Sequence, residues 1–312
     1  MGQVLINSLI SSIWFFNYHD TPICVSKYYK TRANILNMTK VALVTGSSSG
    51  IGYETALLLA RNGFDTFATM RNMNKSKEIT EVSKKENLPL RVMQLDVNDD
   101  RSVADAIKNI LNEKKSIEVV VNNAGYGLMG SVEDSSLDEI KAQFETNFFG
   151  AIRVIKEVIP IMRKQRTGTI VNVSSVAGRI GFPMGSAYVS SKFALEGLSE
   201  SISYELKQFG IKIVLIEPGV INTNFAFVTP KKALEANSSY SQLMNKMEEN
   251  LFSTISNGTP PKDVATVILH SITKESPEHR YLVGNDAVEL INARKNSTDE
   301  EFEKMIVANL LK

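Results

Sequence analysis

The stretch MTKVALVTGSSSGIG, Met38–Gly52, decides the reading of this chain. Four apolar residues, Val41 to Val44, run into Thr45 and then into three glycines spaced G-x-x-x-G-x-G at Gly46, Gly50 and Gly52. A short continuous apolar run reads as a strand buried on both faces. Glycines directly after it permit a sharp turn into a helix, whose free N–H groups and positive dipole end suit a phosphate. Glycine and serine clusters also mark plain loops. The strand before this one and the amphipathic segment Tyr53 to Arg61 after it favour a dinucleotide-binding turn.

Downstream the same alternation continues. The runs KVALVTG, DTFATM, LRVMQLDV, IEVVVNNAG, GTIVNVSS, IKIVLIEPG and RYLVG are separated by helical patterns such as Val103 to Asn112, Ile140 to Arg163 and Ala187 to Gln208. Strand and helix in alternation predict an α/β fold: a single doubly wound, Rossmann-type parallel sheet with helices on both faces and ligands at the carboxyl edge. No Pro/Gly/Ser linker or internal repeat divides residues 38–312, so they read as one domain.

Upstream, residues 1–37 read differently. Val4 to Phe16 is apolar in patches, interrupted by Asn7, Ser8, Ser11 and Ser12, and too short to span a bilayer as a helix. It lacks the basic start and cleavage site of a signal peptide, and Ile6 breaks a myristoylation pattern. A disordered tail, a weak membrane anchor and a start assigned too far upstream compete for it. For the whole chain, 35 basic against 34 acidic residues leave a net charge of +1, which offers no field for nucleic acid or anionic lipid. One cysteine, Cys24, excludes an internal disulfide framework and points to a reducing, cytoplasmic setting. The scattered His19, His270 and His279 have no metal-ligand spacing, so no metal is expected.

Chemistry is concentrated in two places. A carboxylate about 20 residues past the glycines would hold the ribose hydroxyls of NAD. Here the second strand ends instead in Thr69, Met70 and Arg71. An arginine there suits the 2′-phosphate of NADP(H), with NAD(H) as the alternative. Further on, Tyr188 and Lys192 stand four apart on a helical pattern, on one face. An ammonium beside a phenol favours its ionised form, as a tyrosine acid/base requires. Ser175 ends the strand TIVNVSS at the same sheet edge and is placed to donate to a substrate oxygen. Asn147 interrupts an apolar stripe, as a packing residue or as part of a water relay.

These residues together resemble the short-chain dehydrogenase/reductase family, over Thr39 to about Gly284. The motifs fall in family order: TGSSSGIG, Asp96 in LDV, NNAG, Asn147 in TNFFG, Ser175, YVSSK at Tyr188 to Lys192, and PGVINT at Pro218 to Thr223. The 13-residue spacing of Ser175 and Tyr188 matches as well. The resemblance implies reversible hydride transfer between NADP(H) and a carbonyl or alcohol. By it, Tyr188 exchanges the proton and Ser175 polarises the substrate oxygen. Lys192 binds the nicotinamide ribose and lowers the Tyr188 pKa, and Asn147 holds a water. The cofactor would lie against Thr45, Gly46, Ser48, Gly50, Ile51, Gly52, Arg71, Asp96, Val97, Asn123, Ala124, Gly125, Tyr188, Lys192, Pro218, Gly219 and Thr223.

Specificity is expected in a lid at about 224–260, where Phe225, Phe227, Leu243, Met244, Met247, Leu251 and Phe252, with Met184 and Leu128, suit a lipophilic ketone, aldehyde or alcohol. The branch most similar is that of the hydroxysteroid and retinol dehydrogenases. A ketoacyl reductase of lipid synthesis and a catalytically silent dinucleotide sensor are the alternatives; the first lacks a basic docking patch, and the second predicts decay at Tyr188 or Lys192. Outward apolar residues such as Phe148, Phe193 and Leu198, with the resemblance, imply a homodimer or homotetramer. The C-terminal NARKNSTDEEFEKMIVANLLK reads as one charged amphipathic helix on the surface or at a partner interface.

Overall fold

In the computed structural model the structure describes residues 39–223, 225, 227–228 and 238–310, with only the backbone described at 227–228, 250–253 and 309–310. Seven parallel strands form the main sheet: β1 (Val41–Val44), β2 (Asp65–Met70), β3 (Leu90–Gln94), β4 (Val119–Asn122), β6 (Gly168–Val173), β7 (Ile211–Pro218) and β9 (Arg280–Val283). Their order is β3-β2-β1-β4-β6-β7-β9, and each is one of the seven runs read from the sequence. A short parallel pair, β5 (Gly127–Leu128) with β8 (Phe227–Val228), stands apart from it.

Alternation along β1 explains the two cores. Ala42 and Val44 face one side with α1 (Gly50–Arg61), α2 (Lys77–Lys85) and α8 (Pro261–Thr273). Val41 and Leu43 face the other with α3 (Asp100–Lys114), α5 (Gly150–Gln165) and α6 (Ser186–Leu206). All four residues are buried, as a central parallel strand covered by helices on both faces must be. Strand order reverses between β1 and β4, so the loops leaving them diverge and open a crevice at the carboxyl edge.

Two helical readings are corrected. The single helix expected over Ile140 to Arg163 is α4 (Leu137–Phe144) and α5 joined by a wide π-type turn at Glu145–Phe149 that carries Asn147. Such turns insert one residue into the helical ladder. The C-terminal helix is likewise two, α9 (Asn285–Asn296) and α10 (Asp299–Leu310). Between them Thr298 and Glu301 cap a new start reciprocally: Glu301 N donates to Thr298 Oγ1 at 3.3 Å and Thr298 N to Glu301 Oε2 at 2.9 Å. Nor is this pair a surface feature alone. Phe302 and Ile306 are buried with Ala287 and Ile291 against Val176 and Ile180, directly after Ser175. The helical part of the lid is α7 (Ser241–Ser256); Phe225 and β8 precede it.

Candidate active site

The glycine turn is shaped by close approach. Gly46 and Gly50 have φ of +69° and +60°, a region that side chains rarely adopt. A Cβ on Gly46 would stand 2.8 Å from Ala124 Cα, and one on Gly52 would stand 2.4 Å from Asn123 Nδ2. The turn and the NNAG segment therefore press directly together. Asn123 Nδ2 donates to Thr45 O at 2.9 Å and Gly46 O at 3.2 Å, while Thr45 Oγ1 accepts from the amides of Asn123 and Ala124. Thr45 is thus a buried brace between the two loops, and it and Gly52 lie behind the cavity surface. Ser49, at the start of α1, makes no side-chain cap, which leaves that helix end to the crevice.

A cavity of about 970 Å³ runs along this edge. At one end it is lined by Arg71 and Lys75, then by Ser48, Gly50, Ile51, Asp96, Val97 and Asn98, and then by Ala124 and Gly125. Gly46, Asn123, Pro218, Gly219 and Thr223 line it as well. Ser175, Tyr188 and Lys192 come together farther along. Ser175 leaves the end of β6 in extended backbone, accepts from Ala177 N at 3.1 Å and donates to Pro218 O at 3.4 Å. Lys192 Nζ donates to Val173 O at 2.9 Å and sits 5.7 Å from the centre of the Tyr188 ring.

Asn147 is buried beside this group and does not reach the large cavity. Its Oδ1 accepts from Tyr126 N at 3.1 Å, and its Nδ2 donates to Tyr126 O at 2.9 Å and to Ser191 Oγ at 3.2 Å. A second cavity of about 10 Å³, near the volume one water needs, is lined by Asn147, Lys192, Asn122 and Thr45 among others. Asn122 Oδ1 is buried with no hydrogen-bond partner there.

Electrostatics departs from the sequence reading in one respect. The cation was expected to favour ionised Tyr188, yet surrounding protein pushes that phenol up to about 12, with a hydrogen bond to Ser175 pulling the other way. Burial of the phenol is the cause, and Lys192 does not offset it. Burial draws its ammonium down to about 8, against the pull of Glu196, so the cation is gone before the phenol would ionise. At neutral pH the pair is a neutral phenol beside an ammonium.

Beyond Tyr188 the wall is apolar. Phe225 stands edge-on to Tyr188 with ring centres 6.1 Å apart. Met129, Phe182, Met247, Leu290, Met305 and Ile306 complete that end. Of the residues expected in the lid, Phe225 and Met247 line the cavity. Leu128, Met184, Leu243 and Met244 pack behind it, Met129, Met184, Met244 and Met247 forming one buried cluster. The side chains of Phe227, Leu251 and Phe252 lie outside the described residues. Leu290, Met305 and Ile306 were not anticipated; the spacing of Phe302 and Ile306, one turn apart, is the signal that would have placed α10 inward.

Among the described residues no group of His, Cys, Asp or Glu is arranged to hold a metal ion, and no helix is long and apolar enough to cross a membrane.

Comparison with known proteins agrees with this geometry. Residues 40–233, more than half the chain, match the family described as short chain dehydrogenase. Human retinol dehydrogenase 8 is 40% identical over 255 residues, covering 77% of this chain and 80% of that protein. The 3-ketodihydrosphingosine reductase of Bacteroides thetaiotaomicron is 34% identical over 259 residues, covering 83% and 92%. Among solved structures, a metagenomic short-chain oxidoreductase in complex with NADP is 25% identical, with a TM-score of 0.64 over 78% of this chain and 96% of that one. The seven-stranded parallel sheet, the glycine turn at its reversal point and these relatives lead to one conclusion: the chain belongs to the short-chain dehydrogenase family of nucleotide-binding oxidoreductases.

Proposed function

We propose that this protein transfers hydride between NADP(H) and a lipophilic ketone or aldehyde and its alcohol, with Tyr188 as the proton donor and acceptor. The observation that carries the reading is the position of Ser175, Tyr188 and Lys192 where a cleft fitted to a dinucleotide meets an uncharged methionine and phenylalanine wall. The fit rests on the pressed glycine turn, the uncapped start of α1 and the run of small and polar residues from Ser48 to Gly125. When bound, the nicotinamide supplies the hydride.

The chain's own residues do the rest. Tyr188, neutral at physiological pH, holds the proton that a reduced carbonyl oxygen needs, so the site is poised for reduction. Ser175, hydrogen-bonded to the same phenol, donates to that oxygen as charge develops. Lys192 supplies a fixed cation and a donor to the nicotinamide ribose. Asn147 holds a water in the small cavity it shares with Lys192, through which a proton returns to Tyr188. Arg71 and Lys75, with no ion-pair partner among the described residues, favour a phosphorylated ribose over a plain one. Two relatives, named as a retinol dehydrogenase and a 3-ketodihydrosphingosine reductase, support an apolar partner.

NADPH and NADH oxidation measured in parallel against ketones and aldehydes of increasing hydrophobicity tests this. Turnover with NADPH, rising with hydrophobicity and lost in Tyr188→Phe, is the expected result. Cofactor binding without turnover of any carbonyl would move the reading to a dinucleotide sensor. Of the residues expected to face outward, Phe193 on α6 is 45% exposed, whereas Phe148 and Leu198 are partly buried; Phe193 and Phe149, the latter in the turn before α5 and also 45% exposed, would be the contacts of a homodimer, which light scattering in solution checks.

A further inference from the structure

Behind Lys192 lies a buried ionic cluster that the reaction as described does not use. Tyr188, Lys192, Glu196 and Glu200 recur at four-residue steps along α6. The Lys-to-Glu order is the one that helix electrostatics favours less, so helix stability does not explain it. Its explanation is tertiary. Glu196 Oε2 accepts from Arg280 Nε at 3.0 Å, the same nitrogen lies 3.2 Å from Glu217 Oε1, and Arg280 Nη2 reaches Glu200 Oε2 at 2.7 Å. Arg179 Nη1 pairs with Glu217 Oε1 at 3.0 Å. A Cβ on Gly178 would stand 2.8 Å from both Glu196 Cγ and Ser174 Oγ, so the turn that begins at Ser175 is seated on Glu196.

Lys192, Glu196 and Glu217 are 6%, 5% and 1% exposed, too deep for water to screen them. Around Glu196, α6 contributes Lys192 one turn before it and Glu200 one turn after it, the end of β7 Glu217, β9 Arg280 and the turn after Ser175 Arg179. The remaining titratable neighbours are the neutral Tyr188 and His279, whose imidazole burial holds below its ordinary range. Burial raises the Glu196 carboxyl above its ordinary range, against hydrogen bonds from Ser174 and Arg280; with that carboxyl ionised and Lys192 an ammonium, three cations face three anions. Deprotonating it leaves a negative charge in excess in a medium that tolerates none.

We propose that Glu196 is a positioning residue of the catalytic unit: through the Arg280 and Glu217 cluster it keeps the ammonium of Lys192 charged while its own side chain seats the turn bearing Ser175. This rests on the reading of Lys192 given above. Without that carboxylate, desolvation would act on Lys192 with less opposition, and the ammonium would be lost at lower pH.

The experiment is the pH profile of kcat/KM for NADPH-dependent carbonyl reduction, paired with NADPH affinity by cofactor fluorescence across the same pH range. In the parent protein both should fall as pH rises through the Lys192 transition near 8. Glu196→Gln keeps the volume and an acceptor for Arg280, and should move both falls to lower pH by about one unit. Glu196→Asp should restore the parent profile. If Glu196→Gln does not fold, judged by circular dichroism, Glu217→Gln should move the fall in the same direction by less. A merely structural salt bridge would lower activity equally at all pH values and leave both transitions in place, and that result overturns the proposal. Lys192→Met separates the two readings. If it abolishes activity while Glu196→Gln leaves the transitions unmoved, only the role of Glu196 fails; if it is fully active and binds NADPH normally, the reading of Lys192 fails.

Discussion

The two ends of the cavity are built by different means. At the end proposed for the nucleotide the surface is mostly backbone and small side chains: Gly46, Asn123 and Ala124 are locked together by the Thr45 and Asn123 hydrogen bonds, and Gly46 and Gly52 by contacts too close for a Cβ. At the end proposed for the substrate, Met129, Met247, Leu290, Met305 and Ile306 come from segments far apart in the chain and meet largely through flexible, polarisable side chains. A methylene added to the first surface has nowhere to go, whereas methionines re-pack around one added or lost. The contrast teaches that this cavity is rigid at its glycine end and adaptable at its methionine end.

Substitutions at each end should separate these properties. Tyr188→Phe, at the junction, has the largest expected effect, a fall of roughly 10²–10⁴-fold in kcat with an unchanged melting temperature and NADPH affinity; a smaller fall would place the proton elsewhere. Gly52→Ala adds one methyl to the rigid end against Asn123 Nδ2 and Gly46 O. It should cost about 1–3 kcal/mol, read as a lower melting temperature, and weaken NADPH binding. Normal stability there would break the contrast. Arg71→Asp should weaken NADPH by roughly ten- to a hundredfold and NADH far less, measured by cofactor fluorescence. Met247→Ala, at the adaptable end, should change KM for an apolar ketone by only about threefold, with kcat preserved. Should it cost as much as Gly52→Ala, the two ends are built alike after all.

The same division governs how much could be read from residues alone. The central strands were legible because a buried parallel strand permits little but continuous β-branched and aliphatic residues, while the partly buried edge strands β3 and β9 were legible from their place in the alternation. The glycine turn and NNAG were legible because close backbone approach leaves few residue choices. Lining residues such as Leu290, Met305 and Ile306 were not, since a methionine facing a cavity and one facing a core look the same in a sequence. Tyr188 and Lys192 were found by spacing, but the direction of the Tyr188 shift depends on burial, which spacing does not contain. The break between α9 and α10 was written in Thr298-x-x-Glu301 and passed over within a strongly periodic stretch.

The π-type turn at Glu145–Phe149 has a consequence for chain length. Gln143 before it and Asn147 within it both grip the Tyr126 to Leu128 backbone: Gln143 Nε2 donates to Tyr126 O at 2.8 Å, and Asn147 Nδ2 donates to the same oxygen at 2.9 Å. Removing one residue from the turn would let the helix run straight and rotate one amide relative to the other by about 100°. The two could then no longer hold the same loop. This five-residue stretch is therefore a gauge whose length is constrained along with Asn147: an insertion or deletion would disengage the loop.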